Sequence, residues 1–148
     1  MQSSSFRIGT WVMYAMGIYA LVMPLFWIFL TEIIFVSDFL AFTGQSYTDY
    51  LVVIPEPAEL YMITKKLWGV TMLIISLLIL FITRKSYING EKWSWYALLI
   101  AGVMLWESLI GYRFVIDYLA PSIVTFIIGT ILFVIGITLP AKQIFDKN

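Results

Sequence analysis

The sequence predicts an all-α integral membrane protein: a four-transmembrane-helix antiparallel bundle with an ordered outer connection between helices 1 and 2. Three observations carry this. Four apolar stretches occupy residues 8–30, 61–83, 93–112 and 121–139, each close to the roughly 20 residues that cross about 30 Å of hydrocarbon. The chain is 61% hydrophobic and 12% charged with a mean hydropathy of +0.93, far outside the soluble range. The basic residues also gather on one side of the predicted spans. In hydrocarbon every backbone amide must be paired within the structure, so apolar runs of this length must be helices; the alternating short strands of a barrel are not visible. The 148 residues leave room for one bundle, residues 1–148, and no second domain.

The first span follows a single basic residue, Arg7, and shows no clear small-residue cleavage site before Glu32. It also runs well past the apolar core of a signal peptide, so it reads as a retained anchor. Pro24 predicts a kink inside it. The connection 33–60 is long and half apolar, an outer cap rather than a linker. Its first part, residues 33–42, either extends the first helix or lies along the interface. Ser46 to Asp49 has the spacing of a capping box, and Pro55 and Pro57 stiffen the approach to the second span. Pro121 is placed to start the fourth helix and Pro140 to end its apolar run.

Orientation follows from the charges. Arg7, Arg84, Lys85, Lys92, Lys142 and Lys147 stand against Glu91 and Asp146 on one side, six basic to two acidic, a net of +4. Lys65, Lys66 and Arg113 stand against Glu32, Asp38, Asp49, Glu56, Glu59, Glu107 and Asp117 on the other, three basic to seven acidic, a net of −4. The positive-inside rule therefore predicts a multi-pass cell-membrane protein with cytoplasmic N- and C-termini.

Small residues recur at about seven-residue spacing along each span, as close packing of helices requires. In the first span Gly9, Met13, Met16 and Ala20 share a face, and in the second Gly69, Ser76 and Thr83 do; the third offers Ala97, Ala101, Ser108 and Gly111, and the fourth Ser122, Thr125, Gly129 and Gly136. A period near 3.5 favours left-handed crossings near +20°. Trp11, Trp93, Trp95 and Tyr96 on the cytoplasmic side, and Trp27, Tyr61, Trp68, Trp106, Tyr112 and Tyr118 on the outer side, read as interfacial anchors in preference to an aromatic ligand cage.

The chain has no Cys and no His. It therefore offers no disulfide, no thiolate nucleophile, none of the usual zinc, haem or copper ligands and no ordinary neutral-pH acid–base group. Met13, Met16 and Met23 share an arc that could suit Cu(I), but Met commonly fills irregular apolar space. The outer acids lack EF-hand spacing and read as solvated. No catalytic residue, cofactor or metal is predicted.

Glu107 stands out among the charges. It lies 14 residues beyond Trp93, about 21 Å along a helix at 1.5 Å per residue, and so below the outer boundary. Ionisable groups at such depth usually face the interior and pair. The expectation is a buried polar site in which Glu107 pairs with Lys65, Lys66 or Arg113, with Glu32 as a second carboxylate.

The segment Tyr87-Ile88-Asn89-Gly90-Glu91-Lys92-Trp93-Ser94-Trp95-Tyr96, preceded by Lys66-Leu67-Trp68-Gly69, resembles uncharacterised small prokaryotic four-helix integral membrane proteins that share a basic turn and G-E-x-W-x-W. The resemblance covers residues 43–96 and implies the topology but no activity. Small multidrug transporters also have four helices and a membrane Glu, but their ordering of polar residues differs, and their function is not carried over.

By subtraction, the sequence reads as a non-catalytic accessory or structural subunit of a larger integral membrane complex, for example a respiratory or monooxygenase-type assembly. Its expected partners are the lipid bilayer and other transmembrane subunits, with no nucleic acid. The alternative is a small transporter or lipophilic-ligand-binding protein using Glu107 and Glu32; a membrane enzyme using those carboxylates is third.

Overall fold

The computed structural model describes residues 3–117 and 122–146. Tyr118, Pro121, Lys147 and the side chain of Ser122 lie outside the described residues. The chain is helical, without strands among the described residues: α1 (Ser4–Phe29), α2 (Thr31–Thr43), α3 (Tyr47–Val53), α4 (Pro55–Lys85), a 3₁₀ turn (Tyr87–Asn89), α5 (Lys92–Val115) and α6 (Ser122–Phe145). Four of these helices, α1, α4, α5 and α6, are long and apolar enough to cross a membrane.

Helix α1 lies against both α4 and α6, and α5 closes against the same two. The close approaches are made by glycines facing bulk. A methyl group added at Gly129 of α6 would overlap the Trp106 indole of α5, and one added at Gly102 of α5 would overlap the Phe133 ring of α6. At Gly136 an added Cβ would lie 3.0 Å from the Met13 backbone of α1. At Gly69 it would meet Ile28 at 3.0 Å and the Pro24 carbonyl at 3.4 Å. Dispersion between surfaces this close holds helices together when lipid or detergent is as apolar as the side chains.

Helix α5 departs from its expected face. It packs through Ser94, Leu98, Gly102, Leu105, Trp106, Leu109 and Arg113, while Ala101 is half-buried and Ser108 and Gly111 are exposed. Small size alone pointed to the wrong stripe, because Trp106 and Phe133 supply the interlocking bulk and need only Gly102 and Gly129 opposite them.

Both helix-internal prolines leave a backbone carbonyl without its amide donor, and in each case another helix supplies one. Pro24 cannot donate to Ala20, whose carbonyl instead accepts the Ser76 hydroxyl of α4 at 2.7 Å. Pro140 cannot donate to Gly136, whose carbonyl accepts the Tyr87 hydroxyl at 2.7 Å. One residue on, the Ile137 carbonyl accepts the Trp95 indole at 2.9 Å. A buried carbonyl left unpaired costs roughly 1–3 kcal/mol, so these bonds let α1 and α6 run through their prolines. Pro140 therefore ends the apolar run but not the helix, which continues to Phe145.

The cap is helical. Helix α2 begins one residue after α1 ends and stops at Gly44, whose φ of +71° suits a residue without Cβ. Ser46 precedes α3 but makes no capping hydrogen bond to its backbone; its hydroxyl pairs with that of Thr48 at 2.7 Å. Pro55 occupies the first turn of α4, so that helix starts well before residue 61. At the opposite end, Gly90 has φ of +74°, Glu91 precedes α5 without a side-chain capping bond and accepts from the Trp93 indole at 2.5 Å, and Trp95 reaches α6. The G-E-K-W-S-W segment is thus accounted for by a tight turn and one interhelical bond.

Candidate functional site

The charged centre of the molecule lies under α2. Asp38 sits on the buried face of that helix with Phe35 and Phe39. It faces Arg113 in the last turn of α5, where the negative helix end favours a cation. Arg113 Nη1 donates to Asp38 Oδ1 at 2.5 Å, and the two side chains are only 2% and 1% exposed. The Tyr112 hydroxyl donates to Asp38 Oδ2 at 3.3 Å. Arg113 Nε is buried and has no hydrogen-bond partner among the described residues.

Lys65, on the buried face of α4, completes the cluster. Its Nζ lies 3.9 Å from the centroid of the Tyr112 ring, 4.9 Å from Trp68, 5.1 Å from Tyr61 and 5.2 Å from Phe35. Each distance is within the range over which a ring face attracts a cation. The rings are positioned by their own contacts: Trp68 meets Tyr112 at 5.1 Å and Trp27 at 5.5 Å, and the Tyr61 hydroxyl donates to the Phe35 carbonyl at 3.3 Å. The rings read from sequence as interfacial anchors thus include an inward-facing set that surrounds the chain's own lysine. Burial first, and then the carboxylates of Glu32 and Glu59, push the nearby Tyr47 phenol up from its usual range.

The predicted polar site is rearranged. Lys65 and Arg113 are buried and close together, but the carboxylate between them is Asp38, which sequence reading placed among the solvated acids. Glu107 is exposed on the outward side of α5 and, among the described residues, makes no hydrogen bond or ion pair. The reason is helical phase: Trp106 and Leu109 face inward, so Glu107 faces out. Lys66 and Glu32 are likewise exposed; they line a separate notch where α1 meets α2. The notch that Glu32 lines does not include Glu107. The signal that could have found Asp38 is its three- and one-residue spacing from Phe35 and Phe39, which places it on the apolar side of α2.

Chemically, the cluster is one carboxylate and two cations enclosed by aromatic faces, joining α2, α4 and α5. That composition suits fastening. Met13 and Met16 are core residues, and among the described residues no three Asp or Glu side chains come together as a metal site. Comparison with protein-family models, with curated proteins and with solved structures finds no match.

Proposed function

We propose that the chain is a non-catalytic subunit of a larger integral membrane complex, its four long helices forming an antiparallel bundle across the cell membrane. In this reading both termini and the 84–92 turn are cytoplasmic, as the +4 to −4 charge division supports. The cap of α2 and α3 then lies outside. The topology has a direct check: a cysteine placed at Ser46 should react with a membrane-impermeant thiol reagent in intact cells, and one at Asn89 should not. The opposite labelling pattern overturns the orientation.

The observation that carries the assembly reading is the outward carboxylate. Buried cations are committed within the chain, Arg113 to Asp38 and Lys65 to its ring set, whereas Glu107 is exposed beside Met104, Ser108 and Gly111. At Gly111 nothing lies within 4 Å of where a Cβ would be, so this face can accept a helix at close range. A carboxylate facing hydrocarbon costs several kcal/mol; a neighbouring subunit's helix bearing Lys or Arg at that depth would remove the cost.

Glu107→Leu should therefore abolish the native-gel complex in mild detergent, and Glu107→Gln should retain part of it, because the amide still hydrogen-bonds. Exposure of the site means both variants should keep the fold. Proton-coupled flux by the purified chain in proteoliposomes, lost in Glu107→Gln, would replace this reading with the transporter alternative.

A further inference from the structure

Helix α1 ends at Phe29, and Leu30, with φ −120° and ψ 30°, breaks the helical path before α2 begins at Thr31. The Thr31 hydroxyl donates back to the Trp27 carbonyl and fixes the joint. The bend leaves a cavity of about 200 Å³ lined by Phe29, Leu30, Thr31, Glu32, Ile33 and Lys66. Phe29 and Ile33 are each 77% exposed, so the notch opens on an apolar surface. Its two charges are opposite, and among the described residues neither has a hydrogen bond or an ion-pair partner. Glu32 and Lys66 thus face one cavity without closing on each other.

We propose that this notch binds the headgroup of a phospholipid carrying a primary ammonium, a phosphoethanolamine lipid, with Glu32 accepting from the ammonium and Lys66 donating to the phosphate. The inference rests on the membrane insertion proposed above. The lining sums to zero charge, as does that headgroup, and the exposed Phe29 and Ile33 offer apolar surface to the acyl chains. A quaternary ammonium has no N–H to give Glu32, and the lining offers it one ring, Phe29, rather than an aromatic cage. An anionic lipid would place its surplus charge beside Glu32 with no second cation in the lining.

The test is native mass spectrometry of the full chain after mild delipidation, with dioleoyl phosphatidylethanolamine, phosphatidylcholine and phosphatidylglycerol supplied in equal amounts. Wild type should retain the ethanolamine lipid about tenfold over either competitor, the scale of one charge-assisted hydrogen bond. Glu32→Gln should erase the preference over choline, and Lys66→Gln should weaken retention of both zwitterionic lipids. Both side chains are exposed, so helicity and melting temperature should be unchanged, which keeps the readout specific. Equal retention of the three lipids, or a preference that survives both variants, overturns the site. Displacement by soluble glycerophosphoethanolamine at the lipid's own concentration overturns a lipid as the occupant. Cysteine labelling reads insertion independently, so lost selectivity in an inserted protein sinks the headgroup site alone.

Discussion

Arg113→Gln should lower unfolding stability in detergent by about 3–5 kcal/mol, because it leaves the Asp38 carboxylate buried without its ion-pair partner. The loss arises from the survivor more than from the bond. Asp38 is 1% exposed, and water cannot replace the guanidinium. Lys65 offsets part of the charge from above its rings, but among the described residues it makes no ion-pair contact with Asp38. Asp38→Asn should also destabilise, since Arg113 and Lys65 then face each other with no anion between them. Combining the two changes should cost less than their sum by about 1 kcal/mol or more, the signature of a shared interaction. The cap should respond first: Asp38 is the residue through which α2 reaches α5, so limited proteolysis at the exposed Gly44–Gln45 joint should accelerate in each single variant. Single-variant losses under about 1 kcal/mol that simply add, with unchanged proteolysis, would show that the pair does not fasten the cap.

The long helices were legible in the sequence because hydrocarbon length and hydropathy leave few alternatives for such apolar runs. Cap helicity was half legible: residues 33–42 were open between a continued helix and an interfacial one, and the break at Leu30 with its Thr31 hydroxyl bond separates α2 from α1. What could not be read was rotational phase. A span that is apolar on all sides carries almost no moment to say which side faces its neighbours. On α5 this put Glu107 on the wrong side, exposed where an inward pairing was expected, and passed over Gly102, which meets Phe133. The same difficulty hid Asp38, since a carboxylate in a connection looks solvated until the cap is known to fold over Arg113. Ser76 shows the opposite outcome. It was chosen for small size, and it does sit at a close approach, yet its hydroxyl also repairs the carbonyl that Pro24 leaves open.

Gly129→Leu should be the most damaging single change among the packing residues, costing about 1–3 kcal/mol or more by overpacking and separating α5 from α6. Gly129 is where Trp106 enters α6, and the indole has little freedom to move: it is 2% exposed and stacks with Tyr19 at 6.4 Å. Tyr19 is itself held by donating to the Thr125 carbonyl at 2.9 Å. Displacing Trp106 therefore disturbs α1 as well as α5. Even Gly129→Ala should lower the melting temperature, and Gly136→Ala should do so by pressing on the Met13 backbone, which cannot rotate away as a side chain would. Gly111→Ala is the internal control, because open space surrounds that position and alanine favours helix by up to about 1 kcal/mol. It should leave the isolated chain as stable as wild type or more so, while interfering with any helix that docks beside Glu107. Melting temperatures in detergent check the order: Gly111→Ala at or above wild type, Gly129→Ala and Gly136→Ala below it, Gly129→Leu lowest. Wild-type stability in Gly129→Leu would mean that the Trp106 contact does not hold α5 to α6.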